Sequence, residues 1–245
     1  MTAAMMVIAH RGASSYAPEN TLAAFDLALE MRVRHIELDV ALTSDNHPVV
    51  IHDDKVDRTT NGSGLVTSHT LAALRQLDAG SWFGAQFEGE RIPTFDDVLA
   101  RYNGRVHIHT EIKGKSASLS ERTADLIRKH GMERQVTVTS FQSVRLEEMR
   151  AYAPELPTGW LVREVTDSII AQAHAIGVSQ LCPRADMVRP ELVHRLRAEG
   201  FVARAWGVGT EELMQRVVQA GVDGMTVNLP DKLIAYLEAH NCLWE

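Results

Sequence analysis

The sequence of 245 residues lacks several features that would place it in a specialised class of protein. Its two cysteines, Cys182 and Cys242, are too few for a disulfide framework, and such usage is typical of a reducing compartment. No apolar run approaches the roughly 18 residues that a membrane span needs. The apolar N-terminal stretch is short, follows no basic segment and stops at His10, so it favours a buried strand over a signal peptide. We therefore expect a cytoplasmic protein without stable membrane insertion.

An excess of basic residues is also missing. Lys and Arg number 25 against 32 Asp and Glu, so the formal net charge is −7. Nucleic acids and anionic membrane surfaces select for basic proteins, and this balance argues against both as the main partner. An anionic substrate would need local positive charge, either from a bound metal or from well-placed Arg and Lys side chains. The oligomeric state stays open.

What the sequence does contain is a regular alternation of short apolar segments and longer amphipathic stretches. Repeated about eight times in 245 residues, this alternation predicts an α/β fold, a TIM (β/α)8 barrel forming one domain over residues 1–245. A doubly wound sheet is the alternative. The predicted strands are residues 5–9, 34–40, 49–52, 105–112, 135–140, 157–161, 179–182, 201–206 and 224–227. The predicted helices are residues 20–31, 118–131, 143–152, 166–176, 190–200, 211–220 and 231–240.

One segment, residues 53–104, interrupts the alternation. It contains a Gly-rich turn at 61–64, a helix-like run near 70–77 and aromatic residues at 82–83. Loops longer than about 15 residues in compact domains are usually functional lids or insertions. We therefore predict a small cap, inserted after the second β/α unit, that covers one side of the barrel mouth.

Acidic residues collect at the C-terminal ends of the predicted strands, where barrel enzymes place their catalytic groups. Glu37 and Asp39 are two residues apart on one strand, so their side chains share a face. Glu111 and Lys113 repeat this spacing on the next unit. Three carboxylates at one mouth would repel each other unless a raised pKa or a hard cation compensates. Oxygen ligands without clustered cysteines favour Mg²⁺ or Ca²⁺ over Zn²⁺.

Two histidines are expected on either side of that cation. His10 and His52 suit a general acid and a general base, because imidazole gives and takes protons near pH 7. Arg11 and Lys113 add positive charge suited to a phosphate. These residue types favour metal-assisted phosphoryl chemistry. Trp206, at another strand end, is equally consistent with packing and with an aromatic wall for the substrate.

Each of these signals has an ordinary explanation when it stands alone. A Glu-x-Asp pair on a strand is more often a solvent-facing edge, and a His-Arg pair is usually on the surface. The combination at consecutive strand ends is much harder to explain as coincidence. For His35, His107 and His109, which share the inward parity, we expect hydrogen-bonded filling of the barrel interior.

The same residues carry a resemblance to the glycerophosphodiester phosphodiesterase family. The similarity runs in order through nearly the whole chain and is densest from His10 to Lys113. The matching segments are His10-Arg11-Gly12, Pro18-Glu19-Asn20-Thr21, Glu37-Leu38-Asp39-Val40, His52-Asp53, residues 58–64, Ile92-Pro93-Thr94 and Glu111-Ile112-Lys113, with weaker matches at Ser140-Phe141 and residues 221–224.

The resemblance implies a TIM barrel that hydrolyses small glycerophosphodiesters to sn-glycerol 3-phosphate and an alcohol. The roles it implies are divalent-cation ligands for Glu37, Asp39 and Glu111, acid–base catalysis for His10 and His52, phosphate contacts for Arg11 and Lys113, and a supporting place for Glu19. Trp206 is counted with the substrate-binding residues. Which histidine is the acid is left open, as is the choice between Mg²⁺ and Ca²⁺.

Two departures from the family pattern concern the glycerol or leaving-group pocket. The last strand ends with Val227-Asn228 where the family often has Thr-Asp, and Gly207 and Gly209 replace the polar residues that usually follow Trp206. Two alternatives also remain. One is a barrel phosphodiesterase acting on lysophospholipids or another sugar-phosphate diester, for which an apolar entrance around Trp82, Phe83 and Phe87 would favour a lipid chain. The other is a non-catalytic barrel, which would bind phosphodiesters without needing two histidines.

Overall fold

The computed structural model describes residues 4–114 and 116–245. Within them the strands are β1 (Met6–His10), β2 (His35–Leu42), β3 (Pro48–Val50), β4 (His107–Ile112), β5 (Val136–Ser140), β6 (Thr158–Val162), β7 (Gln180–Pro183), β8 (Val202–Ala205) and β9 (Gly224–Val227). The helices are α1 (Leu22–Glu30), α2 (Leu71–Leu74), α3 (Phe95–Tyr102), α4 (Ala117–Lys129), α5 (Ser143–Tyr152), α6 (Asp167–Ile176), α7 (Pro190–Ala198), α8 (Glu211–Gln219) and α9 (Pro230–Ala239). None of the helices in these residues is long and apolar enough to cross a membrane.

All the strands except β3 form a closed parallel barrel, and a helix follows each of them along the chain. Closure is provided by β1, which pairs with both β2 and β9, so that Ile8 lies opposite His35 on one side and Thr226 on the other. The TIM barrel prediction is thus confirmed, and the open doubly wound sheet is excluded.

Alternation along the strands separates the core from the site. In β2, Ile36, Leu38 and Val40 are fully buried in the main apolar core between strands and helices. Glu37 and Asp39 between them point into the barrel, because successive side chains of a strand face opposite sides. The same alternation in β4 places Glu111 on the inner side. The barrel therefore carries apolar residues outward and polar residues inward at its C-terminal end.

The insertion begins with a hairpin that the sequence did not predict as such. β2 continues to Leu42, the chain turns, and β3 returns antiparallel to it with Val50 opposite Val40. The predicted strand at 49–52 is thus no barrel strand. The cap that follows has its own small core, made of Ala41, Val49, Ile51, Val56, Val66, Leu74, Ala79 and Ile92.

The cap is shorter than the predicted segment 53–104. The last part of the predicted segment is α3, which is the barrel helix that follows β2. The insertion therefore lies within the second β/α unit, between β2 and α3. Phe95, Val98 and Leu99 of α3 are buried in the main core. The helix starts at a capping box in which Thr94 and Asp97 bond each other's backbone amide. The Thr-x-x-Asp spacing is a sequence signal that could have revealed this helix.

Candidate active site

Three carboxylates meet at the C-terminal ends of the neighbouring strands β2 and β4. Asp39 lies directly opposite Glu111 in the parallel pairing, and Glu37 precedes Asp39 on the same inner face. One oxygen of each carboxylate lies within 4.8 Å of the others. The residues are 4% (Glu37), 0% (Asp39) and 7% (Glu111) exposed. Within the described ranges, no other group of three acidic, histidine or cysteine side chains has the spacing of a metal site.

Burial and mutual repulsion make the negative charges of this cluster costly. Burial, and then the neighbouring Asp39 and Glu111, raise the pKa of Glu37 well above its usual value. Burial and Asp39 raise the pKa of Glu111 to about 7. Burial also opposes the charge of Asp39, yet its pKa is lowered because Lys113 and Arg11 stabilise the carboxylate. A cation held by the cluster would relieve this repulsion.

One carboxylate oxygen also has no hydrogen-bond donor. Asp39 Oδ1 is buried and accepts no hydrogen bond from the described residues, although Lys113 Nζ lies 3.4 Å from it. Buried polar atoms almost always have a partner, so this oxygen is where a bound cation would be expected. The three carboxylates offer only hard oxygen ligands, which suit Mg²⁺ or Ca²⁺. The donor set therefore fits a divalent cation.

A tight turn after β1 delivers Arg11 to the carboxylates. Arg11 has a positive φ of 56° and Gly12 one of 81°. A side chain at Gly12 would place its Cβ 2.6 Å from the backbone carbonyl of Ala24, so only glycine fits there. The turn points the Arg11 backbone N–H at Glu37 Oε2, 3.1 Å away. The His-Arg-Gly motif is thus explained by backbone geometry as well as by chemistry.

Two cationic side chains hold the carboxylates in place. Arg11 Nε lies 3.2 Å from Asp39 Oδ2, and Arg11 Nη1 donates to Glu19 Oε1 at 2.8 Å. Lys113 Nζ is 2.8 Å from Glu111 Oε1. Asn20, whose role was not predicted, donates from Nδ2 to Asp39 Oδ2 at 2.9 Å. Both cations line the cavity described below, so they can also face an anionic ligand.

His10 ends β1 and is oriented by a residue far away in the sequence. Its Nδ1–H donates to Asn228 Oδ1 at 2.6 Å, which leaves Nε2 free and 3.9 Å from Glu37 Oε2. Burial, and then Arg11, lower the pKa of His10 to about 4. The imidazole is therefore neutral near pH 7 and able to accept a proton at Nε2. Asn228 is one of the departures from the family pattern, and sequence reasoning missed its contact with His10.

His52 reaches the site through the hairpin. The Ile51 amide donates to Asp39 O at 3.0 Å, which sets His52 beside the carboxylates. His52 Nδ1–H donates to Asp53 Oδ1 at 2.6 Å, leaving Nε2 free. Arg58 donates to both oxygens of Asp53 and to both oxygens of Glu19. Hydrogen bonding to Arg58 and His52 lowers the pKa of Asp53, so this carboxylate stays charged beside the imidazole.

A cavity of about 510 Å³ opens at this end of the barrel. The predicted site residues that line it are His10, Arg11, Glu37, His52, Glu111, Lys113 and Trp206. Asp39 lies beneath this lining, and Glu19 contacts the lining through Arg11. The structure therefore brings all the predicted residues together, while their individual roles stay predictions.

Trp206 is both anchored by the barrel and present in the cavity wall. Its Nε1–H donates to Cys182 O at 3.0 Å and to Val162 O at 3.2 Å. Its ring meets Phe141 edge-on, with the ring centroids 4.7 Å apart. The two interpretations of Trp206, packing and substrate wall, are thus compatible.

The aromatic residues of the cap lie elsewhere. Trp82 contacts Phe83 edge-on, and Phe83 contacts Phe87 in the same way, with centroids 5.5 and 5.6 Å apart. The cavity lining includes none of the three among the described residues. They do not form the apolar entrance that a lysophospholipid would need at this cavity.

The remaining inward histidines lie deeper in the barrel. His35 Nδ1 and His109 Nε2 are 3.3 Å apart, and His107 Nε2 is 2.8 Å from Thr137 Oγ1. None of them joins the described carboxylate cluster. Their contacts agree with the expected filling of the barrel interior.

Comparison with known proteins gives the site its context. The model of the glycerophosphoryl diester phosphodiesterase family matches residues 10–232, which span the carboxylates and both histidines. The chain belongs to this family. It is therefore a phosphoric diester hydrolase, and the resemblance predicted from the motifs is confirmed.

Individual relatives and solved structures match this chain over nearly their whole length. The glycerophosphodiester phosphodiesterase of Caldanaerobacter subterraneus subsp. tengcongensis is 39% identical over 94% of this chain and 96% of its own. The solved glycerophosphodiester phosphodiesterase of Agrobacterium tumefaciens is 31% identical, with a TM-score of 0.85 over 96% of this chain and all of its own. A phosphodiesterase of Oleispira antarctica, solved with the product sn-glycerol-3-phosphate, is 29% identical, with a TM-score of 0.88 over 94% and 96% of the two chains.

Proposed function

We propose that this family member hydrolyses glycerophosphodiesters to sn-glycerol 3-phosphate and an alcohol by metal-assisted acid–base catalysis with two histidines. The observation that carries the proposal is the pair of imidazoles, His10 and His52, each with a free Nε2 beside one buried carboxylate cluster in a single cavity. The product in the Oleispira antarctica structure supports the assignment of glycerophosphate.

The residues around the phosphate would divide the work of charge stabilisation. Glu37, Asp39 and Glu111 would hold a Mg²⁺ or Ca²⁺ ion, which when bound neutralises charge on the phosphoryl oxygens. Arg11 and Lys113 would contact the phosphate directly. Glu19 would keep Arg11 and Arg58 in place through its two oxygens. Fixed positive groups of this kind stabilise the charge that develops as the phosphorus is attacked.

The two histidines would move the protons. One takes the proton of the nucleophile, either water or the 2-hydroxyl of the glycerol, as the new P–O bond forms. The other gives a proton to the alcohol oxygen as its bond to phosphorus breaks. If the 2-hydroxyl attacks, a cyclic phosphate forms and water must then open it. We assign the first role to His10, which is neutral near pH 7, and the second to His52, whose Nδ1–H donates to the Asp53 carboxylate and so orients Nε2 toward the cavity.

A substrate panel tests this proposal. Glycerophosphoethanolamine and glycerophosphoglycerol should be cleaved with release of sn-glycerol 3-phosphate, and EDTA should abolish the reaction until divalent cation is restored. Bis(p-nitrophenyl) phosphate has no glycerol and should be a poor substrate. Equal hydrolysis of all three would mean a general phosphodiesterase, and full activity in EDTA would exclude the metal.

A further inference from the structure

The cavity has a second wall that differs from the one carrying the carboxylates. Phe141, Arg163 and Trp206 follow directly after β5, β6 and β8, and all three line the cavity. The carboxylates that line it, Glu37 and Glu111, belong to β2 and β4. The second wall thus combines two aromatic rings with a cationic side chain.

The charge of Arg163 is not neutralised by any of the residues that the structure describes. In the part of the chain that the structure describes, no carboxylate lies within ion-pair distance of its guanidinium, whereas Lys113 and Arg11 both pair with the carboxylate cluster. Arg163 Cζ lies 5.2 Å from the ring centroid of Phe141. Its side chain is exposed, so the charge faces the cavity mouth.

A second arginine of the cavity also has no carboxylate partner among the residues that the structure describes. Arg204 is 1% exposed, and its Nη1 donates to Thr226 Oγ1 at 2.9 Å. Its Nε and Nη2 have no hydrogen-bond partner among the described residues. The positive potential from Arg204 therefore adds to that of Arg163. Low-dielectric walls that carry one sign of charge concentrate ligands of the opposite sign.

The aromatic pair cannot serve as an ammonium cage. Such cages bind a cation on the faces of their rings. Phe141 already has two protein cations near its ring, because Lys113 Nζ is 5.9 Å from its centroid in addition to Arg163. A choline or ethanolamine group at this wall would meet like charges. A carboxylate or phosphate there would meet an unpaired guanidinium, which can bind it with two hydrogen bonds.

We propose that Phe141, Arg163 and Trp206 form a subsite for a negatively charged leaving alcohol, so that glycerophosphodiesters whose alcohol carries a carboxylate or a second phosphate are the preferred substrates. The inference rests on the proposed phosphodiesterase function and adds the chemical class of the alcohol. Arg163 is its specificity-determining residue.

Three glycerophosphodiesters that differ only in the terminal group of a two-carbon alcohol, which is anionic, neutral or cationic, provide the test. They carry glycolate, ethylene glycol or ethanolamine, and kcat/KM is measured for each at low ionic strength. The wild-type protein should prefer the glycolate diester to the ethanolamine diester by about tenfold or more, the size expected for one partly screened unit charge. Arg163→Gln should bring this ratio close to one, and Arg163→Glu should invert it. The neutral diester should change by less than about threefold, since its alcohol gains little from the charge.

Arg184→Gln is the matched control. Arg184 follows β7 near the same rim, but it pairs with Asp186, so its charge is already neutralised. This variant should keep the wild-type ratio. An unchanged ratio in Arg163→Gln would overturn the subsite while leaving the phosphodiesterase function intact. Failure of the wild-type protein to cleave any of the three diesters with Mg²⁺ or Ca²⁺ present would instead overturn the proposed function.

Discussion

At the scale of single residues, the carboxylate cluster is costly unless something positive joins it. Lys113 and Arg11 stabilise the charge of Asp39 but leave Glu37 and Glu111 with raised pKa values. Lys113 and Arg11 therefore supply only part of the positive charge that the three carboxylates need. This arrangement makes the cluster sensitive to the loss of any one carboxylate.

Removing one of these charges should weaken the cation site. Asp39→Asn and Glu111→Gln each replace an anionic ligand by a neutral amide, so titration calorimetry with Mg²⁺ or Ca²⁺ alone should show weaker binding. The rate should fall by about 10²-fold or more, because even residues that only support metal ligands cost 10–100-fold. Glu147→Gln, an exposed position on α5, is the control. Unaltered cation affinity in both site variants would remove these carboxylates from the metal site.

The histidines should behave differently, because their proposed task is proton transfer. His10→Ala and His52→Ala should each lower kcat by about 10²–10⁴-fold, while calorimetry should detect little change in cation affinity. His47→Ala, with a half-exposed side chain in the hairpin turn, serves as control. The wild-type pH–rate profile should be bell-shaped. A variant that turns over at nearly the wild-type rate would show that its histidine is a spectator.

At the scale of elements, the local pattern of apolar and polar residues was sufficient to predict most strands and helices of the barrel. Each apolar run became a strand, and inward parity placed Glu37, Asp39 and Glu111 at one mouth. The hairpin was not predictable in this way, because the residues of β3 are as apolar as those of a barrel strand. Only the pairing with β2 shows that β3 runs antiparallel to the barrel strands. Asn228 was missed because its contact with His10 joins residues at opposite ends of the sequence.

The cap should behave as a separate cooperative unit because it has its own core. Leu74 belongs to the small cluster, whereas Leu99 of α3 belongs to the main one. Leu74→Ala should therefore increase hydrogen exchange of cap amides such as Val56 and Val66, and leave the barrel strands protected.

Leu99→Ala is the matched substitution in the barrel. It should lower the global free energy of unfolding by about 2–5 kcal/mol, the usual cost of deleting a buried leucine side chain. Equal loss of protection throughout the molecule in both variants would show that cap and barrel unfold together. A changed ratio of kcat/KM between substrates in Leu74→Ala would support the prediction that the cap helps to select the leaving alcohol.

At the scale of the whole molecule, the barrel interior beneath the cavity is unusually polar. Arg204 and three histidines occupy positions that bulky apolar residues fill in most barrels. Burial, and then the positive charge of Arg204, lower the pKa of His107 to about 4, whereas the ordinary value is 6.5. The barrel therefore holds this histidine in its neutral form, and the stability of the fold becomes linked to pH.

The unfolded chain protonates His107 near pH 6.5, but the folded chain does so only near pH 4. Between these values the unfolded state binds more protons, so the free energy of unfolding should fall as the pH is lowered from 6.5 to 4, with no further loss from this group below. The contribution is at most about 3 kcal/mol, and less where solvent screens the ring. His107→Asn keeps a hydrogen-bonding side chain beside Thr137 but cannot titrate, so its stability should fall less steeply over this window in urea denaturation. His194→Asn, at an exposed position on α7, should follow the wild-type curve, and a His107→Asn curve parallel to the wild-type one would place the acid sensitivity elsewhere in the molecule.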